Sequence, residues 1–282
     1  MGHITEAESA RLGDTRRKIA LILATLERVY GKPDLRPHGD LLGELVGTIL
    51  SQNTSDLNSQ RAYQSLRHAF PDWHQVRQAS NEEIARVIQT AGLSRQKAPA
   101  IRAAVTALLE DGEQRADWLR TAPLDDARAW LQSLPGVGPK TAACVLLFAL
   151  GRPALPVDTH VFRVSMRLGL LPPGASPVAA HRLLEALVPP GDILRFHVLL
   201  IRHGRAVCHA RHPACSRCLV ATWCEYRRQH ASNHSENQLT PGHGAHRVRL
   251  ADRKSALRSP AATPDDRETF AGVIPHESER DG

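Results

Sequence analysis

The 282-residue sequence predicts an all-α protein, and three observations support this prediction. Apolar residues recur at helical spacing in one segment after another. Capping residues and glycines separate these segments. No run of alternating apolar and polar residues convincingly predicts a strand, and no internal repeat of fixed period is found. We therefore expect about ten helices within residues 1–227, a length that suits one large domain or two ordinary ones.

The first helix is predicted from a cap, an apolar stripe and a stop. Asp14 is a suitable N-cap, and apolar residues then follow at helical spacing from Ile19 to Tyr30. Gly31 is expected to end the helix.

Further along the chain, Ser80 and Glu83 predict a capping box, and Gly92 is expected to end that helix. Asp125 is expected to begin a helix that continues to Leu134. The other predicted helices span residues 41–50, 56–70, 95–110, 140–150, 159–169, 177–188 and 192–204.

Composition and charge narrow the function classes. With 36 Lys and Arg against 29 Asp and Glu, the net charge is +7, which favours an anionic partner such as nucleic acid. Aromatic residues make up only 4%, which argues against a platform that stacks single-stranded bases. The longest apolar run, Ala142–Leu150, is too short to span a membrane. The first residues carry no apolar signal core, so we expect a cytoplasmic, bacterial protein.

The C-terminal segment, residues 228–282, is predicted to be a disordered tail. Only seven of its 55 residues are Leu, Ile, Val or Phe, too few to form a core. Its eight basic and eight acidic residues cancel, so the whole net charge of +7 lies in residues 1–227. A solvated linker is the favoured interpretation, although its arginines could add nonspecific phosphate contacts.

A short turn between two predicted helices gives the first chemical signal. The segment 134–142 reads Leu-Pro-Gly-Val-Gly-Pro-Lys-Thr-Ala, and its two glycines allow a sharp turn and close approach of a ligand. Free N–H groups at the start of the next helix would bind phosphate. An ordinary turn between helices is the alternative. The full string favours DNA-backbone binding at Gly136, Val137 and Gly138.

Lys140 is the candidate nucleophile. It lies in the first turn of its helix, where the helix dipole disfavours a cation, and we expect dipole and burial to lower its pKa. A lysine that loses its proton can form a Schiff base. Position alone favours a solvated lysine that contacts phosphate. Asp158 strengthens the catalytic interpretation, because the stiff connection before it could bring its carboxylate near Lys140, although capping alone would explain an aspartate there.

Four cysteines predict a metal site. Cys208, Cys215, Cys218 and Cys224 have the spacing C-x6-C-x2-C-x5-C. Zinc modules usually present two short C-x2-C pairs and this run has one, so an iron–sulfur cluster is favoured and zinc stays open. The fifth cysteine, Cys144, is expected in the apolar core.

Three of these motifs together resemble the endonuclease III family of helix-hairpin-helix DNA glycosylases. They are the hairpin 134–142, the segment 157–163 (Val-Asp-Thr-His-Val-Phe-Arg) and the four cysteines, and the resemblance covers roughly residues 14–227. The segment 50–54 and Gly92-Leu93, with Lys97 downstream, also match regions that the family uses.

The resemblance implies two helical domains on either side of a DNA-binding cleft. A six-helix barrel would span 34–152, and an iron–sulfur domain would combine 1–33 with 153–227, followed by the tail 228–282. The implied partner is double-stranded DNA that contains a damaged base or an abasic site, bent and with the damaged nucleotide flipped out. A single cleft suits a monomer.

The resemblance also implies roles for individual residues. Lys140 would attack C1′ of the sugar, and Asp158 would assist departure of the base before β-elimination. Gln52 would fill the gap left by the flipped base, Leu93 would wedge into the stack, and His160 would lie at the DNA with the hairpin. The four cysteines would hold a [4Fe-4S] cluster that serves structure and DNA binding.

Three classes of function remain open at this stage. The first is a bifunctional glycosylase and lyase acting on oxidised pyrimidines. The second is a monofunctional adenine or mismatch thymine/uracil glycosylase, which usually carries another residue in place of Lys140. The third is a non-catalytic helix-hairpin-helix DNA-binding protein. The segment Gln52–Asp56 departs from the form expected of the best-known members, which leaves the preferred lesion open.

Overall fold

A computed structural model describes residues 6–236, and every regular element in this range is a helix, which confirms the all-α prediction. The α-helices in chain order are α1 (Glu6–Tyr30), α2 (Leu41–Ser51), α3 (Asp56–Ala69), α4 (Trp73–Gln78), α5 (Asn81–Val87), α6 (Ser94–Thr121), α7 (Leu124–Ser133), α8 (Pro139–Cys144), α9 (Thr159–Leu168), α10 (Pro177–Leu187), α11 (Ile193–Ala206) and α12 (Glu225–Glu236). A π-helical turn, Val145–Ala149, continues α8. Short 3-10 turns lie at Gln89–Ala91, Pro190–Asp192, Cys215–Arg217 and Ala221–Trp223.

Local capping signals explain several boundaries. The capping box before α5 is confirmed, since Ser80 Oγ accepts from the Glu83 amide at 3.2 Å and Glu83 Oε2 accepts from the Ser80 amide at 2.8 Å. A second capping box, between Asp72 and Gln75, begins α4, a helix that the sequence analysis did not predict.

Other predicted boundaries are wrong. Asp14 is not an N-cap, because α1 already begins at Glu6 and the good helix formers of residues 6–12 extend it. Helix α6 continues past the predicted end at 110 to Thr121, with a kink at Gly112, where φ is 52°. The tail prediction is also wrong at its start, since residues 228–236 belong to α12. Its remainder, 237–282, lies outside the described residues.

Two apolar cores organise the described chain. The first is built from α2 to α8 and ends with Ala154. The second combines α1 with α9, α10 and α11, and after Ala154 the chain contributes to this core from Leu155 onwards. The implied domain bounds, 34–152 against 1–33 with 153–227, stay a prediction. None of the helices in residues 6–236 has the length and apolar character needed to cross a membrane.

The segment formed by α8 and its π-helical turn belongs to both cores. Ala142, Val145 and Leu146 face the first core, whereas Cys144 and Phe148 face the second. A helix that is apolar all round is expected to be buried all round. Lys140 lies in the first turn of this shared helix, so its backbone is fixed by packing on two sides.

Candidate functional site

The predicted hairpin forms between α7 and α8, and its first glycine is required there. Gly136 has a φ of 76°, and a Cβ atom on it would lie 2.8 Å from the Ala100 Cβ. Val137 is buried, and Gly138 is the N-cap of α8. A Cβ on Gly138 would meet no atom within 4 Å, so the backbone is open on that side. The turn predicted from the sequence is therefore present, and its contact with DNA stays a prediction.

Gln52 connects the end of α2 to this hairpin. Its Nε2 donates to the Gly136 carbonyl at 2.9 Å and lies 3.2 Å from Thr141 Oγ1. Gln52 is also the residue at which α2 ends. The side chain that the resemblance assigns to the gap in the DNA therefore lies directly against the hairpin.

Leu93 is presented on a strained turn between α5 and α6. It is 49% exposed, and its φ of 49° and ψ of 31° place it in the left-handed region, which is costly for a residue with a branched side chain. Gly92 before it has a φ of 66°. Strained residues often lie at functional sites, and the role of Leu93 at the DNA stays a prediction.

Lys140 is half-buried in the first turn of α8. Burial lowers the pKa of its ammonium, but the negative charges of Cys144 in its thiolate form, of Asp158 and of Glu44 outweigh burial and raise the pKa above its ordinary value. The prediction of a lowered pKa is therefore wrong for the chain without DNA. Burial raises the pKa of the Cys144 thiol to about 11, and the charge of Lys140 acts in the opposite direction.

Asp158 is the N-cap of α9. Its Oδ1 accepts from the Val161 amide at 2.7 Å, as a capping aspartate does, and its charge raises the pKa of Lys140. Asp158 therefore caps a helix and lies close enough for its charge to affect the lysine, while its role in catalysis stays a prediction.

Three buried or half-buried side chains fix the connection that carries Asp158. Nδ1 of His181 and Nδ1 of His197 donate at 2.8 Å each, to the Leu155 carbonyl and to the Pro156 carbonyl. A carboxylate oxygen of Glu185 accepts from the Leu155 amide at 2.7 Å. Burial lowers the pKa of His197 to about 4, so its imidazole is neutral at pH 7. No local pattern in the sequence marks these three residues, because each lies on a helix that is distant in the chain.

Glu44 is a second acidic group near the lysine that the sequence analysis missed. It is 1% exposed and accepts from Thr48 Oγ1 at 3.0 Å, and His38 Nε2 lies 3.2 Å from its other oxygen. Burial raises the pKa of its carboxyl group. The charges of Glu44 and Lys140 affect each other's pKa, so the two groups lie near each other.

His160, predicted at the DNA, is half-buried on the first turn of α9. Arg163 Nη2 lies 3.1 Å from its Nδ1. A Cβ on Gly204 would come within 2.8 Å of the same nitrogen, so the imidazole packs closely on α11. One edge of the ring is thus occupied by protein, and its contact with DNA stays a prediction.

The four cysteines line one cavity together with Arg167 and His203. All four are free thiols in the chain, and among residues 6–236 no three His, Cys, Asp or Glu side chains are grouped as ligands of one metal ion. Arg167 Nη1 donates to Cys208 Sγ at 3.2 Å, and His203 Nε2 lies 3.6 Å from Cys218 Sγ. Burial raises the pKa of the Cys218 thiol to about 11. The cavity therefore collects four sulfur atoms beside two nitrogen donors.

Comparison with known proteins gives a consistent result. Residues 46–190 match the model of the HhH-GPD superfamily of base excision DNA repair proteins. An endonuclease III of Synechocystis is 34% identical over 220 residues, which cover 76% of this chain and 94% of that protein. An Arabidopsis thaliana protein, named provisionally as a DNA glycosylase, is 38% identical over 168 residues, which cover 58% of this chain and 57% of that protein.

The structural comparison agrees with the sequence matches. A solved structure of a trapped covalent intermediate between an endonuclease III and DNA, an estranged-adenine complex, superposes with a TM-score of 0.65 at 28% identity. The match covers 77% of this chain and 98% of that one.

Proposed function

The chain belongs to the HhH-GPD superfamily of base excision DNA repair proteins, as the sequence motifs predicted, and we propose that it is a bifunctional DNA glycosylase and abasic-site lyase. The proposed substrate is duplex DNA that carries an oxidised pyrimidine or an abasic site. The observation that carries the proposal is the interaction of Lys140 with Asp158, beside the hairpin and on the helix shared by both cores. The trapped endonuclease III–DNA intermediate among the similar structures supports the covalent route.

The proposed reaction begins at Lys140. Its Nζ transfers a proton to the Asp158 carboxylate and forms a bond to C1′ of the sugar. The glycosidic bond breaks, and the base leaves with the bonding electrons and takes the proton from Asp158. Opening of the sugar ring, with transfer of a proton from Nζ to O4′, gives a protonated Schiff base between Nζ and C1′. Transfer of a proton from C2′ to water then forms a double bond between C2′ and C3′ while the bond between C3′ and its phosphate oxygen breaks. The phosphate leaves with the bonding electrons, which cuts the strand.

The raised pKa of Lys140 sets a condition on this reaction. The ammonium must lose its proton before Nζ can attack, so an acceptor close to it is required. Asp158 is the proposed acceptor, because its carboxylate is one of the charges that hold the proton on Lys140.

The remaining site residues are proposed to bind and deform the DNA. Gly136, Val137 and Gly138 would contact the phosphate backbone through the hairpin. Gln52 would replace the flipped nucleotide inside the duplex, and Leu93 would enter the base stack from its exposed turn. His160 would contact the DNA through the ring edge that Arg163 does not occupy. We propose a monomer in the cytoplasm, associated with DNA.

Cys208, Cys215, Cys218 and Cys224 are proposed to hold a [4Fe-4S] cluster. The presence of all four cysteines on one cavity supports this proposal, and zinc is less favoured because zinc modules usually present two short C-x2-C pairs and this chain has one. When bound, the cluster would supply structural stability to the segment 208–224. Iron and acid-labile sulfide in the purified protein would support this, and stoichiometric zinc without iron would contradict it.

Borohydride trapping tests the proposed function. The protein is mixed with a duplex containing thymine glycol and separately with an abasic duplex, then reduced and separated on a denaturing gel. We expect a covalent band on both substrates, none with Lys140→Ala, and an unchanged band with Lys32→Ala, which removes an exposed lysine. Lys140→Ala should still bind the duplex, because the loss of one phosphate contact among several has a small effect. It changes the slope of the logarithm of the binding constant against the logarithm of salt concentration by only about one.

Each other outcome has a defined meaning. A band on the abasic duplex alone would contradict the pyrimidine substrate and keep the lyase. A band that persists in Lys140→Ala would contradict the nucleophile. No band on either substrate would overturn the proposed lyase in favour of a monofunctional glycosylase or a non-catalytic DNA-binding protein.

A further inference from the structure

One buried lysine holds both segments that carry Gln52 and Leu93. Lys97 is only 4% exposed, and its Nζ donates to the Leu50 carbonyl and to the Ala91 carbonyl, at 2.8 Å each. The two carbonyls are 41 residues apart in the chain. Within residues 6–236 Lys97 forms no ion pair, so backbone carbonyls alone stabilise its charge.

Both carbonyls belong to the C-terminal ends of helical segments. Leu50 lies in the last turn of α2, and Ala91 ends the 3-10 turn Gln89–Ala91. Carbonyls at such ends have no partner within their own helix and carry the negative end of its dipole. The ammonium of Lys97 thus donates to unpaired carbonyls at two helix ends, both of which point towards its Nζ.

Each carbonyl lies two residues before one of the two side chains that are proposed to enter DNA. Gln52 lies two residues after Leu50, and Leu93 lies two residues after Ala91. Both segments then adopt left-handed backbone, with a φ of 53° at Asn53 and 49° at Leu93. Asparagine adopts this backbone readily, whereas a leucine in it is strained and keeps its shape only when surrounding contacts hold it.

Filling space does not explain a lysine at this position. Burying a charge without a counter-ion is costly, and an apolar side chain would fill the same volume at a lower cost. What Lys97 provides is a hydrogen-bonded link between α2 and the turn before α6.

We propose that Lys97 is a positioning residue that couples the Gln52 and Leu93 segments, so that both enter duplex DNA as one unit. This inference rests on the proposed function, which assigns Gln52 and Leu93 to the interior of the duplex. Lys97 itself contacts neither DNA nor the reacting atoms.

A double-mutant cycle measured twice tests the coupling. The Kd for a duplex with a tetrahydrofuran abasic analogue is measured for the wild type, Gln52→Ala, Leu93→Ala and the double variant. The cycle is then repeated in a Lys97→Met background, which lacks the ammonium. We expect the combined effect to differ from the product of the single effects by about threefold or more when Lys97 is present, and by less than about twofold in the Lys97→Met background.

Lys18→Met is the matched control. Lys18 also donates to a carbonyl near the end of a helix, that of Leu168 in α9, but in the second core. We expect Lys18→Met to lower the Tm as a lost helix-end contact does, while the coupling between Gln52 and Leu93 stays. If Lys97→Met fails to fold, the cycle is measured in Lys97→Gln, whose shorter amide side chain lacks the charge, and Lys97→Arg is expected to restore part of the coupling.

The results separate this inference from the proposed function. The inference would be overturned if the coupling between Gln52 and Leu93 were undiminished in the Lys97→Met or Lys97→Gln background. It would also be overturned if Lys18→Met reduced this coupling equally. A wild-type Kd for the abasic duplex in both Gln52→Ala and Leu93→Ala would also overturn the inference, because neither side chain would then contribute to DNA binding. The abasic analogue has no base to excise, so a failure of glycosylase activity would appear only in the trapping assay.

Discussion

The groups proposed for chemistry and the groups proposed for reading DNA are held in different ways. Asp158 lies on a connection fixed by His181, Glu185 and His197, each hydrogen-bonded to its backbone. Leu93 has an exposed side chain on a strained backbone. Chemistry needs one fixed geometry, whereas a residue that enters the base stack must be accessible before DNA arrives. The protein therefore places strain and exposure at the turn proposed to enter DNA, and burial at the connection proposed to carry the catalytic carboxylate.

Asp158→Asn is expected to have the largest effect, because it removes the proposed proton acceptor and keeps the cap. Asparagine caps helices about as well as aspartate, so the Tm should change little. Base excision should slow by a factor of about 10²–10⁴ in single-turnover assays. Ser176→Ala, which removes the cap of α10 instead, is the control. It should lower the Tm and leave the excision rate near that of the wild type. An excision rate in Asp158→Asn close to that of the wild type would contradict the proposed proton-acceptor role of Asp158 and leave capping as its role.

The buried His197 predicts a pH dependence of stability. Its pKa is about 4 in the folded chain and 6.5 when unperturbed, so the unfolded chain binds more protons between these values. Well above pH 6.5 the burial of neutral His197 therefore does not lower the free energy of unfolding. As the pH falls from 6.5 towards 4, this free energy decreases because the unfolded chain takes up the proton. The expected loss is about 2 kcal/mol between pH 7 and pH 5.

Denaturant unfolding at both pH values, for the wild type and His197→Gln, isolates this contribution from those of the other histidines. The pH dependence should be smaller in the variant by that amount. Equal pH dependence in the two proteins would contradict a neutral, buried imidazole that supports the Asp158 connection.

Leu93→Gly should give the smallest change in stability, and of opposite sign to most substitutions. It relieves a left-handed backbone that costs about 1–2 kcal/mol in a residue other than glycine, while added chain entropy offsets about 0.5–1 kcal/mol. We expect a slightly raised Tm and weaker binding to the abasic duplex. Leu183→Gly, an exposed leucine within α10, should lower the Tm instead. A lowered Tm in Leu93→Gly would show that the turn is not strained.

Much of the fold and the site could be predicted from the sequence, because the signals were local. Helical periodicity and the Ser80–Glu83 box depend on residues close in the chain, and so does the glycine turn before Lys140. Asp14 failed as a cap because an earlier helix start was equally compatible with residues 6–13. The direction of the Lys140 pKa shift failed for another reason. It depends on Asp158 and Glu44, whose distances from the lysine only the fold determines.

The residues that the sequence analysis missed share this dependence on the fold. Glu44, His181, Glu185 and His197 carry no spacing that marks them, and each becomes important only through its partners in the folded chain. Lys97 is the intermediate case. The sequence placed it near a segment that resembles a region the family uses, and the structure shows which two carbonyls it binds.

The helix that begins just before Lys140 affects how the protein unfolds. Because its residues are buried in both cores, neither core can open at this helix without exposing apolar surface of the other. Partial unfolding is easiest where few apolar contacts are lost, so it should begin elsewhere, in the exposed turns. A thermally excited, half-open molecule would then still hold Lys140, the proposed nucleophile, in place, and the surroundings of Lys140 should be lost only at global melting.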